Sequence, residues 1–456
     1  MTFPEDSRKA ALPLCLLLGL LVYALADTTH RPVHDEVRYA DYAVGLQSGV
    51  FGVSFGAEHT PGYANVPLYP LFVAFHMLLS DALAASLDCV VKRSPRFDCP
   101  VFGSVCGPPE RSDCDTQLGV LVAGQALLFS IALYLCYHLT LAMTDNQGLA
   151  LLSIPSLFLA MHFVSFVEQI MTENLVLPLV TGLLLSLVNW LKAGANRWLA
   201  SAGVLLGLLM LTRPEYLYLV VALLPFVFWR APGRRLRSAL VLLLCAALVV
   251  SPWIYRNQKL SGTPALVDDS YSGIVLSERV AFNTMTPAEW FGGLIYWLPD
   301  FGDELAPLVL PASAYQRYQE FRPESFSTLA ATRIYPRALA AGGDGMTGWL
   351  IRQEVLPNLH RHVMTTLPLL WRGLFIGKYW GIVGFIGLAL LLCSRFGSAP
   401  ALWLGLLLIP VFLLCLRAGV SVNMPRYSVP LMPLYAMGWA HLLASVPGRK
   451  ATNAGP

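Results

Sequence analysis

The chain has 456 residues, of which 56% are hydrophobic and 13% charged, with a formal net charge of +3. A soluble domain normally carries about 25% charged residues, so the composition excludes a soluble globular protein and predicts a polytopic membrane protein. So small a net charge, without a basic run or a nucleic-acid motif, also excludes a nucleic-acid partner.

Arg8 and Lys9 precede an apolar run from Ala11 to Ala26. Positive residues ahead of a span place the N-terminus in the cytoplasm. Ala24-Leu25-Ala26 also has the small-residue pattern of a signal-peptide cleavage site, but an anchored first helix is the expectation. His34 to Leu46 reads as an amphipathic helix, with Asp35, Tyr39, Tyr42 and Leu46 on one face. Asp35 and Glu36 fall in its first turn, where the helix dipole favours the ionised carboxylate. The stretch therefore offers ready carboxylates just outside a membrane surface. Pro61-Gly62 and Pro67-Leu68-Tyr69-Pro70 then break the chain. The apolar run from Leu71 to Leu83 is shorter than the roughly 20 residues of a full crossing, and is expected to lie at the surface.

Cys89, Cys99, Cys106 and Cys114 follow in a polar loop assigned to the outside, where two disulfides are expected. Three pairings of four cysteines exist and the sequence does not choose among them. A zinc site is the alternative, but the spacing lacks close ligand pairs. The other five cysteines lie in apolar spans.

Further spans are predicted at Leu118–Met143, Gly148–Val167, Met171–Leu191, Trp198–Leu211, Tyr216–Trp229 and Leu236–Ile254. The Arg230–Arg237 loop is the strongest positive-inside signal, and counting back from it agrees with a cytoplasmic N-terminus. From Arg256 to about His362 the hydrophobicity falls, predicting an extracytoplasmic cap. Gly348 to Arg372 reads as an amphipathic surface helix. Spans at Tyr379–Cys393, Ala401–Leu416 and Ser428–Ala444 complete about ten crossings. The predicted division is a transmembrane module over 1–255 with its first outer loop at 27–117, a cap and amphipathic helix over 256–365, and C-terminal spans over 366–456.

No Walker loop, dinucleotide fingerprint, CxxC or HExxH motif occurs. Any chemistry must come from acids and bases, with or without a loosely held divalent metal ion. Several short stretches instead point to a family, all on the predicted outer side. They are His34-Asp35-Glu36 with Tyr39 and Ala43, Pro67-Leu68-Tyr69-Pro70, Thr172-Glu173-Asn174, and Leu211-Thr212-Arg213-Pro214-Glu215. Ser251-Pro252-Trp253 with Arg256-Asn257, Ser272-Gly273, and Arg426-Tyr427 with Pro430 and Pro433 complete the set. In this order they resemble the GT-C membrane glycosyltransferases, in particular the branch of the lipid A aminoarabinose transferase and the protein O-mannosyltransferases. The cysteine insert and the segment from Val280 to His362 depart from that pattern.

The resemblance implies an all-α GT-C fold in a bacterial inner membrane, with the active site outside. It implies transfer of a pentose or hexose, with inversion, from a polyprenyl-phosphate donor to an extracytoplasmic glycan, lipid A or protein. Such a reaction needs a base for the acceptor hydroxyl, positive charge for the leaving phosphate and anionic groups near an oxocarbenium-like ring. Asp35 is the candidate base. Glu36 is the second catalytic candidate and, with Glu173, a candidate metal ligand. Glu168 and Glu173 form a candidate second acidic site. Arg213, Arg256 and Arg426 are candidate phosphate contacts, because a guanidinium matches phosphate with paired donors. His34, Arg38, Tyr39 and Tyr69 are candidate substrate contacts. The rival reading is a transporter or flippase, but ionisable residues gather at the outer boundary rather than at the bilayer midplane where transporters place them.

Overall fold

The computed structural model describes residues 7–54, 59–93, 113–160, 162–231, 233–319, 322–341 and 345–445. It is helical almost throughout. The first half contains α1 (Ser7–Leu25), α2 (Asp35–Gln47), α3 (Leu68–Leu79), α4 (Asp81–Arg93), α5 (Gly119–Thr144), α6 (Gln147–Phe158) and α7 (His162–Glu168). It continues with α8 (Glu173–Ala193), α9 (Asn196–Met210), α10 (Leu219–Arg230) and α11 (Arg235–Ser261). Short helices make the cap: α12 (Asp269–Ala281), α13 (Pro287–Tyr296), α14 (Gly302–Val309), α15 (Ala312–Gln316), α16 (Phe326–Leu329), α17 (Tyr335–Ala340) and α18 (Met346–Leu350). The chain ends with α19 (Leu359–Leu374), α20 (Tyr379–Arg395), α21 (Pro400–Val420) and α22 (Met432–Ser445).

Among the described residues five helices are long and apolar enough to cross a membrane: α5, α8, α11, α20 (with the 3-10 turn that follows it) and α21. Long apolar side chains on α1 and α11, such as Leu17, Leu20, Leu244 and Leu248, face outward. That is costly in water and natural against lipid, so the chain is a multi-pass membrane protein. Several predicted spans are shorter or broken. The segment predicted as Gly148–Val167 divides into α6 and α7, and α9 has only 15 residues. At about 1.5 Å per residue, α9 does not cover a hydrocarbon core of about 30 Å. The predicted spans at Tyr216 and Ser428 open as 3-10 turns, Pro214–Tyr218 and Pro425–Leu431. Proline at the first turn removes an amide donor, and Pro430 recurs within the second turn, so the backbone enters each helix late. The amphipathic helix predicted from Gly348 is likewise split, with α18 and a π turn before Pro357 and α19 after it.

Two hydrophobic cores result. The larger joins α1, α5, α8, α9 and α11 with α20–α22 and runs up into α2 and α3 through Tyr39, Tyr42 and Tyr69. The smaller fills the cap with Leu276, Phe282, Tyr318, Phe326, Leu350 and Leu369, and reaches Ala418 of α21. A two-stranded antiparallel hairpin, β1 (Gly52–Ser54) and β2 (His59–Pro61), lies beside α2 with Val53 opposite Thr60. Gly52 is required there, because a Cβ would lie 1.7 Å from the Thr60 carbonyl oxygen. The Asp41 carboxylate ties this hairpin to α2, accepting from the Ser54 amide at 3.0 Å and lying 2.9 Å from His59 Nε2.

One disulfide, Cys89–Cys114, joins α4 to the segment before α5. Cys99 and Cys106 lie outside the described residues.

Candidate active site

The loop from α1 to α2 is held before the helix begins. Glu168 at the end of α7 accepts the Asp27 amide at 2.6 Å, and the Thr116 hydroxyl donates to the carbonyls of Thr29 and His30. His34 then adopts φ +50°, a region costly for a residue with a Cβ. Outliers of this kind gather at functional sites, and this one turns the chain so that α2 starts on Asp35.

The Asp35 carboxylate is shared by two guanidiniums. One oxygen accepts from Arg38 of the same helix at 3.0 Å and the other from Arg426, far along the chain, at 2.8 Å. Burial pushes this carboxyl up, but Arg38 and Arg426 outweigh it and leave the pKa below the ordinary carboxylate value. Asp35 is thus ionised at neutral pH. Arg38 also lies over the Tyr271 ring of α12, 5.1 Å from its centroid.

A second knot sits alongside. Arg213, in extended backbone between α9 and its 3-10 turn, donates to Glu173 at 2.6 Å and to the Thr172 hydroxyl at 2.8 Å. Arg417 at the end of α21 donates to Glu215 at 3.1 Å and to the Tyr427 carbonyl. The Tyr427 ring has Arg213, Arg426 and Arg417 at 5.1, 5.3 and 5.9 Å from its centroid. A ring face attracts cations, so Tyr427 gathers three guanidiniums at one point. Four arginines (38, 213, 417 and 426) face three carboxylates (35, 173 and 215), leaving one positive charge in excess. The Nε–H groups of Arg38, Arg417 and Arg426 are buried without an acceptor. Such a cluster suits an arriving anion.

The structure therefore brings Asp35, Arg38, Tyr39, Glu173, Arg213 and Arg426 together, and leaves others apart. Glu36 points the other way, as adjacent helical residues must, and takes the His30 imidazole at 2.9 Å and the Val33 amide. Burial pushes the His30 imidazole down, but the Glu36 hydrogen bond is the larger effect and raises its pKa. Glu168 is spent on the Asp27 amide. Arg256 donates to the carbonyls of Gly62 and Phe51 and so clamps the hairpin to α11. His34 is exposed. Tyr69 sits one layer behind, donating to Gln125 at 2.7 Å with its ring edge-on to Tyr39. The pair proposed as metal ligands is not assembled: Glu36 faces His30 and Glu173 faces Arg213. Among the described residues no three His, Cys, Asp or Glu side chains gather to hold a metal ion.

Glu215, Tyr271, Arg417 and Tyr427 were not singled out as site residues by sequence reasoning. Glu215 and Tyr427 do lie inside the stretches that carry the resemblance, and Tyr271 immediately precedes one. Arg417 carried its own signal, as a lone charge at the end of a long apolar run.

Residues 115–255 match the model of the dolichyl-phosphate-mannose-protein mannosyltransferase family. No curated protein matches the chain. The oligosaccharyltransferase of Archaeoglobus fulgidus, solved with Zn and sulfate, is similar in fold with a TM-score of 0.51 at 13% identity. The alignment covers 95% of this chain and 48% of that one, so this chain spans about half the length of that relative. ArnT of Cupriavidus metallidurans bound to undecaprenyl phosphate aligns at 12% identity over 95% of this chain and 78% of its own, with a TM-score of 0.41. A protein O-mannosyltransferase complex of S. cerevisiae bound to the sugar donor aligns at 15% identity over 63% and 37%, also with a TM-score of 0.41. From the family match over 115–255 and the fold shared across nearly its whole length, this chain has the fold of the GT-C membrane glycosyltransferases.

Proposed function

We propose that this protein transfers a pentose or hexose from a polyprenyl-phosphate donor to a hydroxyl of an extracytoplasmic glycan, lipid or protein, with Asp35 as the general base. The observation that carries this reading is the double pairing of Asp35 with Arg38 and Arg426 inside a cluster with surplus positive charge. The carboxylate satisfies guanidiniums that also suit a phosphate. An arriving donor phosphate competes for Arg426 and Arg38, with Arg213 adjacent, and so frees Asp35 to accept a proton.

The step balances as a single displacement. The acceptor oxygen forms a bond to the anomeric carbon and its proton passes to Asp35. The bond from that carbon to the phosphate oxygen breaks, and its electron pair stays on the polyprenyl phosphate. Positive charge placed where the leaving group gains charge lowers the barrier. One displacement inverts the anomeric centre. Dolichyl-phosphate mannose, the donor in the matching family's description, is itself a polyprenyl-phosphate sugar. The Arg230–Arg237 loop supports an orientation with this cluster on the outer side of a bacterial inner membrane.

Purified protein in lipid nanodiscs, given a polyprenyl-phosphate sugar and an acceptor, tests the proposal. A glycosylated product that disappears in a folded Asp35→Asn variant supports it. Donor carried across a vesicle membrane without any new glycosidic bond overturns it in favour of a flippase.

A further inference from the structure

The cap holds a second cationic site, separate from Asp35. A cavity of about 220 Å³ opens between α12, α17 and α19. Asn283, Arg333, Arg337, Glu354, Asn358 and Arg361 supply its polar lining. Arg337 pairs with Glu354 at 3.2 Å. Arg333 and Arg361 have no carboxylate partner among the described residues, so the rim carries net positive charge.

Behind Asn283 lies a further cation. Arg279 of α12 is fully buried, and each of its acceptors is neutral: the carbonyls of Ala418 and His362, the Thr366 hydroxyl and the Asn283 amide oxygen. Burial of a cation beside only neutral groups is expensive. It pushes the Arg279 pKa down to about 9, and burial with the nearby Arg279 pushes His362 down to about 4. Neutral His362 therefore supplies no counter-charge problem of its own, and no compensation either. Asn283 lines the cavity and reaches back to Arg279. Its oxygen is fixed toward Arg279, and its Nδ2, in a side chain only 6% exposed, is buried with no acceptor. A buried amide donor without a partner calls for an explanation. One oxyanion would meet three needs at once: an acceptor for Nδ2, a partner for Arg333 and Arg361, and a counter-charge near Arg279.

We propose that this cap cavity is an oxyanion site for a phosphate group carried by a sugar or by a lipid headgroup. The site does not depend on the sugar-transfer reading. It is joined to the catalytic cluster through the end of α21, where Arg417 reaches Glu215 while the carbonyls of Ala418 and Gly419 hold Arg279 and His362.

The test titrates inorganic phosphate into the full-length protein in neutral detergent, at constant ionic strength against chloride, and follows the thermal midpoint. A ligand that binds only the folded state raises the midpoint with concentration. The expected result is a phosphate-dependent rise whose apparent affinity falls at least tenfold in an Arg333→Gln/Arg361→Gln double variant. Glu354→Gln removes the competing carboxylate and should tighten binding several-fold. Asn283→Asp places a carboxylate beside Arg279, and should raise the midpoint without phosphate while abolishing the response to it. Persistence of the rise in Arg426→Gln separates this site from the catalytic arginines. Repeating the titration in phosphatidylcholine nanodiscs with and without phosphatidylglycerol distinguishes the sources: competition assigns a lipid headgroup, and its absence assigns a soluble sugar phosphate. Cap variants that titrate like the unaltered protein overturn the proposal.

Discussion

Asp35 is held by two guanidiniums, and its lowered pKa depends on both. Replacing a general base typically costs about a hundred- to ten-thousand-fold in rate, or roughly 3 to 5 kcal/mol of barrier. Asp35→Asn should show that loss in turnover at saturating donor and acceptor while the protein still folds and inserts. Near-normal turnover would remove Asp35 from the mechanism. The pH dependence follows from the lowered pKa. The active carboxylate persists as pH falls through the ordinary range near about 3.9, and the stability it contributes is lost only as pH falls through its lower folded value. Arg426→Gln removes one of the groups holding that value down, so the acidic limb of the kcat/KM profile should move to higher pH. An unmoved limb would assign the titration to another group. Arg213 differs from Arg426 in what it leaves behind. Its partner Glu173 is only 1% exposed, and a stranded buried charge typically costs about 3 to 5 kcal/mol. Arg213→Gln should therefore lower the thermal midpoint strongly, and adding Glu173→Gln should recover most of it. Additive losses in that double-mutant cycle would show that the two side chains are not coupled.

Helices and turns place these side chains, and two small devices hold the outer elements in register. The Cys89–Cys114 bond, 25 residues apart in sequence, closes the stretch that carries Cys99 and Cys106 and ties the end of α4 to the segment before α5. Bridges of this kind typically stabilise by about 2 to 4 kcal/mol. Cys114→Ser or reduction should lower the thermal midpoint, with little effect on turnover measured below it. The hairpin is the second device, clamped by Asp41 from α2 and by Arg256 from α11. Because Arg256 spends its donors on the carbonyls of Phe51 and Gly62, Arg256→Gln should destabilise the outer face and leave the donor KM close to normal. A donor KM raised tenfold at unchanged stability would return Arg256 to the phosphate site.

At the scale of the whole molecule, two cores meet at α21. The membrane core buries its middle, and its outer end supplies Arg417 to the Asp35 cluster and Ala418 to the cap core. The orientation in the membrane follows from charge. The Arg230–Arg237 loop should face the cytoplasm, with the Asp35 cluster and Cys99 on the opposite side. A single cysteine introduced at Arg234 should resist an impermeant thiol reagent in intact cells. Its ready labelling there would invert the arrangement.

The sequence by itself determined what depends on local pattern and composition. Apolar runs marked the membrane helices, the period of α2 placed Asp35 and Tyr39 on one face, and short outer motifs named Arg213, Glu173 and Arg426. Tertiary structure decided which of these meet. Asp35 and Arg426 are 391 positions apart, and no local rule pairs them. Glu36 and Arg256 looked equivalent to their neighbours as charges at the outer boundary. A one-residue step around α2 turned Glu36 to His30, and the carbonyls at the two ends of the hairpin, Phe51 before β1 and Gly62 after β2, captured Arg256. Arg417 and Tyr271 entered the cluster only because the end of α21 and the start of α12 close over it. Such contacts join helices brought together by burial of their apolar faces, so the charges at their ends are set by packing rather than by the residues beside them.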